Sequence, residues 1–272
     1  MELRKSVSRT ARTGLILLCA LGSAWAQSFQ LAEPVLLTQS PFFTDSAVIR
    51  LRFELEGAEI RYTLNGSEPT RLSPEYQGPV TIWATSMLVA KAFHPDFVAS
   101  ETISELFIKI DPAYVPATGE LAVPPSPQYP GQGSRSLFDL QKGSANYSDG
   151  RWLGFEGKNL EYTFSLPKKQ TAQRLTVSSL SAAGSWIFPP RHIEVWAKTR
   201  RKGAFKKVAE ENYPPLPYLL PNREYLIALP FPKACTAREW KVVVENYGAL
   251  PDWHPGKGSP AWLFVDEIFL SP

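Results

Sequence analysis

The chain has 272 residues, with 29 Lys and Arg against 26 Asp and Glu, 12% aromatic residues and 25 prolines. Four of the basic residues and one acidic residue lie in the first 26 positions, so the rest of the chain carries no net formal charge. A neutral body excludes nucleic acid as the main partner, because binding to phosphates requires a clear positive surplus. The many Pro and aromatic residues favour short strands and turns, and the length is sufficient for two domains.

Residues 1–26 have the layout of a secretory signal peptide. Basic residues are followed by an apolar run over 15–21 and by Ala24-Trp25-Ala26, a small-x-small cleavage site. The apolar run is too short to cross a bilayer, and no later stretch approaches the necessary length. We therefore expect an exported protein, periplasmic or extracellular, without a membrane span and beginning near Gln27. Cys235 is then the single cysteine and cannot form an internal disulfide.

Residues 27–110 have the pattern of a small β-sandwich. Residues 48–55 alternate apolar and charged side chains at a period of two, which is typical of a strand with one wet face. Residues 60–64 predict a second strand, and Asn65-Gly66 after it is a strong hairpin signal. Further strands are predicted over 80–83, 87–93 and 106–110.

A proline-rich segment, 111–133, separates this unit from the rest of the chain. Dense prolines favour extended backbone, so the segment is predicted to be a semi-rigid linker that ends by wrapping into the next domain. Residues 134–272 again have strands and turns, and no pattern requires a helix of ten or more residues. The fold class is therefore all-β with two sandwiches, and the strands of the second are predicted over 160–164, 174–177, 192–196, 225–229, 240–244 and 263–269.

Residues 60–70 read IRYTLNGSEPT, residues 76–80 read YQGPV and residues 90–93 read AKAF. This run closely resembles the chitobiase/β-hexosaminidase C-terminal domain, whose signature has Asp where this chain has Asn65. A turn accepts that change readily. The resemblance implies an immunoglobulin-like or fibronectin-like sandwich.

The second unit has a series of motifs spread over its whole length. It resembles the discoidin or coagulation-factor C-domain type of galactose-binding-like jelly roll, in the version appended to bacterial hexosaminidases. The departure lies at 198–205, where the expected hairpin has a strongly basic tip in place of Ser-x-Asp-Gly. The motifs are LFD at 137–139, WLGFEG at 152–157, WIFPP at 186–190, WHPGKG at 253–258 and WLFVDEI at 262–268.

Asp266-Glu267 is the one feature that resembles a hexosaminidase active site. Such catalysis uses a barrel of alternating strands and helices of ~250 residues, for which this chain has neither the length nor the pattern. Neighbours on a strand point to opposite faces, so the two carboxylates are not expected to converge on one bond. The three histidines, His94, His192 and His254, lie in separate segments without metal-ligand spacing. We expect no catalytic residue.

The discoidin-like resemblance implies a structural Ca²⁺ ion. Asp139 and Glu267 fall where such modules place their carboxylate ligands, and Ser144 is a third candidate. Calcium takes six to eight oxygen ligands, so backbone carbonyls would complete the shell. The alternative is that both carboxylates accept hydrogen bonds from loop amides.

Aromatic residues in turn-rich segments are the candidates for a sugar-binding site, because sugars pair an apolar C–H face with hydroxyls. These candidates are Trp152, Trp186, Trp253 and His254, and the alternative is that they pack the loops. A basic cluster at the predicted hairpin tip is a second surface, either merely solvated or docking an anionic polysaccharide. Its members are Lys198, Arg200, Arg201, Lys202, Lys206 and Lys207.

These features together predict an exported, non-catalytic accessory protein that binds a glycan or a cell-envelope polysaccharide through its second domain. Two alternatives remain open at this point. The chain is either a structural or protein-interaction module, or a detached hexosaminidase tail with a glycosidase as its partner. A measurement of glycan binding distinguishes the hypothesis of a glycan-binding accessory protein from both alternatives.

Overall fold

The computed structural model describes residues 29–38, 40–200, 202–214 and 221–272. Over these residues the regular structure consists of strands and three short 3₁₀ turns, which confirms the all-β fold class. None of the helices in this part of the chain has the length and hydropathy needed to cross a bilayer. The predicted signal peptide, 1–26, lies outside the described residues.

The first sandwich contains eight short strands. Strands β2, β8, β7 and β5 form a four-stranded sheet in that order, and two two-stranded sheets, β1 with β4 and β3 with β6, pack with it. The bounds are β1 Val35–Leu36, β2 Phe42–Phe43, β3 Ala47–Ile49, β4 Leu51–Arg52, β5 Glu59–Thr63, β6 Val80–Ile82, β7 Ser86–Phe93 and β8 Ile103–Lys109.

The core of the first sandwich is apolar and includes Ile49, Leu88 and Phe107. A tight hairpin does not form at Asn65-Gly66: β5 pairs with β7, and the chain beyond the turn returns along β5 only through an antiparallel bridge between Arg61 and Glu75. Gly66 has a φ of +82°, and Asn65 Oδ1 accepts a hydrogen bond from Ser67 N. The two residues therefore make a local turn inside a longer connection.

The second sandwich has a seven-stranded sheet in the order β11-β16-β12-β15-β13-β14, and β9 pairs with β12. Strands β12 and β15 have 22 and 23 residues and are paired along most of their length with register shifts. The bounds are β9 Thr118–Leu121, β10 Gly131–Ser134, β11 Leu153–Glu156, β12 Leu160–Ser181, β13 His192–Lys198, β14 Lys206–Asn212, β15 Arg223–Glu245 and β16 Trp262–Ser271.

Alternation of apolar and polar residues places the core of this sandwich. In β15, Trp240, Val242 and Val244 are buried, while Lys241 and Glu245 between and beyond them are partly exposed. The same period of two is expected for a strand with one face on the core. Each such fully buried side chain stabilises the fold by roughly 1.5–3 kcal/mol.

The segment predicted to be a linker, 111–133, packs against the second sandwich over much of its length. Tyr114 belongs to the main core, and its hydroxyl donates to the carbonyl of Thr171 at 2.6 Å. Residues 118–121 form β9 on the edge of β12. The segment therefore packs against the second sandwich from near its start, and not only at its end.

The two sandwiches meet through apolar and polar contacts. The rings of Phe42 and Phe269 lie edge to face at 5.5 Å. Ser40 Oγ donates to the carbonyl of Leu140 at 2.6 Å, and Lys142 pairs with Glu105 at 2.9 Å. The loop at 139–143 thus connects the first sandwich to the sheet of the second.

Candidate functional site

A cleft at one end of the second sandwich is lined by aromatic rings. Tyr129, Tyr147, Trp186 and Trp262 surround a volume of about 240 Å³, and we call this the aromatic cleft. Ser185 adds a hydroxyl to the lining. Aromatic walls with a small number of polar groups are typical of sites for small organic ligands.

Trp186 has a backbone conformation that is rare for a bulky residue. It follows the 3₁₀ turn Ala183–Ser185 with φ +66° and ψ 14°, in the left-handed region. This conformation costs an L-residue roughly 1–2 kcal/mol. The residue is nevertheless 38% exposed, so part of its surface is open to solvent. Strain at an exposed aromatic residue is a recognised mark of a functional position.

His254 supports the turn that carries Trp186. Its Nδ1 accepts from Gly256 N at 3.0 Å, so its Nε2 carries the proton and donates to the carbonyl of Ala183 at 2.9 Å. The residue is only 4% exposed. A side chain at Gly256 would clash with the indole of Trp186, so the glycine allows the close approach of the two residues. His254 is therefore placed to position Trp186 and lies away from the cleft surface.

A second depression of about 280 Å³ adjoins the aromatic cleft and shares Tyr129 and Tyr147 with it. The two tyrosine rings lie edge to face with centroids 6.0 Å apart. Burial raises the pKa of Tyr129, so its phenol stays neutral. Gln128 Nε2 donates to the Tyr129 hydroxyl at 3.1 Å, and Ser148 is a further polar group in the lining.

The structure separates the aromatic residues that the sequence singled out. Trp186 lines the aromatic cleft. Trp152 is 1% exposed, its indole N–H donates to the carbonyl of Ser144 at 2.9 Å, and it lies at the wall of the second depression. Trp253 is partly buried and packs near Phe188, with ring centroids 6.0 Å apart.

Four aromatic residues that line the cleft were not among the sequence candidates: Tyr129, Tyr147, Trp262 and Phe264. Tyr129 lies in the predicted linker, and Trp262 lies at the start of a predicted strand. Tyr147 stands among Asn, Ser, Asp and Gly residues, and an aromatic residue in such a turn is the signal that could have identified it.

Asp266 and Glu267 are both fully buried. A register shift makes Ser178 pair with Glu267 and Ser179 with Val265, so Asp266 is the extra residue of a β-bulge. The two carboxylates therefore reach the same loop. Gly143 N donates to Asp266 Oδ2, and Gln141 N donates to Glu267 Oε1 at 3.0 Å. The prediction that their side chains diverge is wrong for this reason.

Burial dominates the protonation of this buried pair. It raises the pKa of Asp266 to about 7 and raises the pKa of Glu267 well above its ordinary value, with further contributions to the latter from the Asp266 and Asp139 charges. One oxygen of each, Asp266 Oδ1 and Glu267 Oε2, has no hydrogen-bond partner. Carboxylates that are shut off from solvent in this way cannot reach a glycosidic bond.

The expected calcium ligands are placed in two groups. Asp139 and Glu267 are adjacent, and Gln141 N donates to both of them. Ser144 instead donates to Asp149 Oδ2 at 2.9 Å. Asp139 and Glu267 offer two of the six to eight oxygen ligands that calcium takes, and Glu267 Oε2 has no hydrogen-bond partner in the described part of the chain. The described contacts equally match carboxylates held by loop amides.

The basic cluster is partly neutralised. Lys198 pairs with Glu239 at 2.7 Å and lies over the ring of Phe205, and Lys207 pairs with two glutamates of its own hairpin. Arg201 lies outside the described residues. The surface has less free positive charge than its sequence indicates.

Residues 38–104, about a quarter of the chain, match the family model of the chitobiase/beta-hexosaminidase C-terminal domain. This match confirms the resemblance predicted for the first sandwich. The search of curated proteins finds no sequence relative of the chain.

Similar solved structures have low sequence identity. A family 32 carbohydrate-binding module from Streptococcus pneumoniae EndoD is 12% identical, with 58% of this chain and 97% of that chain covered and a TM-score of 0.40. A family 32 module from C. perfringens NanJ in complex with galactose is 16% identical, with 58% and 97% covered and a TM-score of 0.36. A Ruminococcus gnavus GH29 fucosidase in complex with fucose is 12% identical, with 56% and 24% covered and a TM-score of 0.35. The chain spans about a quarter of that fucosidase's length.

Proposed function

We propose that this chain is an exported, non-catalytic accessory protein that binds a carbohydrate in the aromatic cleft. The observation that carries the proposal is Trp186, an exposed indole held in a strained conformation at the cleft. The residue is 38% exposed in the free protein, so a contact between this ring and a ligand accounts for the strained conformation. The basic, apolar and small-residue order of residues 1–26 supports export.

The cleft has the chemistry that a sugar ring needs. Indole and phenol rings present flat apolar faces to C–H groups, while Ser185 and the tyrosine hydroxyls can exchange hydrogen bonds with sugar hydroxyls. None of the described lining residues of the aromatic cleft carries a formal charge at neutral pH. The proposed ligand is therefore a neutral glycan.

Replacement of Trp186 by Ala is expected to weaken glycan binding about tenfold or more, because a buried aromatic anchor carries much of the energy of such contacts. The measurement is a glycan array followed by affinity electrophoresis of the mature chain. Trp83→Ala is the matched control, since Trp83 is 62% exposed but lies on the first sandwich.

Equal binding by Trp186→Ala and wild type would exclude the aromatic cleft as the site. Absence of binding to every neutral and acidic glycan would overturn the proposal as a whole. The first sandwich, which matches a hexosaminidase C-terminal domain, would then favour an interaction module or a glycosidase-associated tail.

We further propose a structural calcium ion at Asp139 and Glu267. Calcium is expected to raise the melting temperature of the chain at pH 8 relative to EDTA, because a ligand that binds only the folded state stabilises it. Asp139→Asn should remove the calcium effect, while Asp252→Asn, at an exposed position, should retain it. Identical melting temperatures in calcium and EDTA would show that loop amides alone hold the carboxylates.

A further inference from the structure

The outer face of the β13–β14 hairpin brings together a histidine and two glutamates. His192 and Glu194 are two positions apart on β13 and therefore lie on the same face. Glu194 is directly opposite Glu210 on β14 in the register of the hairpin. His192 Nε2 lies 3.5 Å from Glu194 Oε1 and 3.5 Å from Glu210 Oε2. These three atoms lie within 4.8 Å of one another.

Each of the two less exposed ligands is held in place by a neighbour. His192 Nδ1 lies 2.7 Å from Asn212 Oδ1, which accepts its proton, so the ring is held with Nε2 toward the glutamates. The Trp196 indole N–H donates to Glu194 Oε2 at 2.9 Å and leaves Oε1 facing the histidine. Metal-binding histidines and carboxylates are oriented by partners of this kind.

From this geometry we infer that His192, Glu194 and Glu210 form a binding site for a divalent transition-metal ion. Two ligand atoms that each lie about 2.1 Å from a tetrahedral ion are about 3.4 Å apart, close to the spacing of Nε2 and the two oxygens. Imidazole with carboxylates favours zinc or copper over calcium or magnesium. Glu210 is half exposed, which gives an ion a path from solvent and a fourth position for water.

His192 strengthens the inference because it is itself nearly buried. It is only 9% exposed, and its Nε2 lies 3.5 Å from each of two carboxylate oxygens. The sequence alone did not reveal this site, because Glu210 lies 18 residues after His192 and only the register of the hairpin brings the two residues together.

Lys207 is the cation that occupies the cluster in the metal-free chain. Its ammonium lies 2.6 Å from Glu194 Oε1 and 2.9 Å from Glu210 Oε2, the same oxygens that face His192. A metal ion bound to those oxygens has to displace it. The side chain is one-third exposed and can turn toward solvent, so Lys207 acts as a built-in competitor.

Zinc titration of the tag-free mature chain by calorimetry tests the site. Wild type is expected to bind one zinc ion per chain, and His192→Gln and Glu210→Gln should each weaken binding about tenfold or more. Lys207→Met should tighten binding several-fold, which a purely structural role for the hairpin would not do. The matched control is Glu161→Gln, which removes a carboxylate paired with Lys241 on the same sheet without a histidine contact.

Unchanged zinc affinity in His192→Gln and Glu210→Gln would overturn the inference. So would the absence of saturable binding in wild type. Zinc binding seen only in Lys207→Met would also overturn the inference for the natural chain, because the Lys207 ammonium would then prevent the metal from binding. Circular dichroism of each variant verifies that the hairpin is folded.

Discussion

The free energy of unfolding is expected to fall as the pH rises from 5 to 8 in the presence of EDTA. Burial raises the pKa of Asp266 from 3.8 to about 7, so the folded chain retains a proton that the unfolded chain releases. Stability decreases with pH wherever the unfolded state binds fewer protons. The stabilisation that comes from the protonated Asp266 is therefore fully present below about pH 4, and it is lost as the pH rises through 7. Between pH 5 and pH 7 the loss amounts to about 3 kcal/mol, at about 1.4 kcal/mol for each pH unit.

Asp266→Asn is the decisive variant for this prediction. Asparagine cannot ionise but can still accept the hydrogen bond from Gly143 N, so the variant should lose the part of the pH dependence that belongs to Asp266, keep the part that belongs to Glu267, and be more stable than wild type at pH 8. Urea unfolding at pH 5, 6.5 and 8 measures the effect. Partner lysines hold the pKa of Glu68 and Glu194 below the ordinary value, so those groups titrate below the chosen range.

The control is Asp252→Asn, whose side chain is exposed and pairs with Lys257 on the surface. This substitution should leave the pH dependence intact. If Asp266→Asn and wild type lost stability in parallel between pH 5 and 8, Asp266 would not be the group that titrates.

Local sequence pattern was sufficient for most of the architecture of the second sandwich. The predicted strands at 160–164, 192–196, 240–244 and 263–269 all lie inside strands of the structure, because their alternating burial depends on side chains a few residues apart. The continuity of β15 was missed, since Pro230 and Pro232 interrupt the pattern. Proline lacks a backbone donor and is tolerated at irregular pairing, and the register with β12 shifts near Pro230.

The sites were harder to predict than the strands because they depend on register. The bulge at Asp266 turns a pair of neighbours toward one loop, and it becomes visible only from the pairing with Ser178 and Ser179. The aromatic cleft joins Tyr129 to Trp262 across more than 130 positions of the chain. Turn-rich context singled out both Trp186 and Trp152, and it could not distinguish the partly exposed ring of Trp186 from the buried ring of Trp152.

The Gly143→Ala substitution is expected to destabilise the chain by roughly 2–5 kcal/mol, combining overpacking with the loss of a buried hydrogen bond. A methyl group at this position would overlap the indole of Trp152. That ring cannot withdraw easily, because it is 1% exposed and packs with Leu180 and Phe264. Moving the loop instead would separate Gly143 N from Asp266 and leave a buried carboxylate oxygen without its donor.

Thermal and urea unfolding of three variants separates these causes. Gly78→Ala is the control, since a methyl group there meets no atom within 4 Å and should change stability by less than about 0.5 kcal/mol. Trp152→Phe combined with Gly143→Ala should cost less than the sum of the single substitutions, because the smaller ring gives the methyl group space. Strict additivity would mean that the two residues are not in contact. In that case the loop over Asp266 would be held by its amide hydrogen bonds and by two contacts with the first sandwich, Ser40 with Leu140 and Lys142 with Glu105.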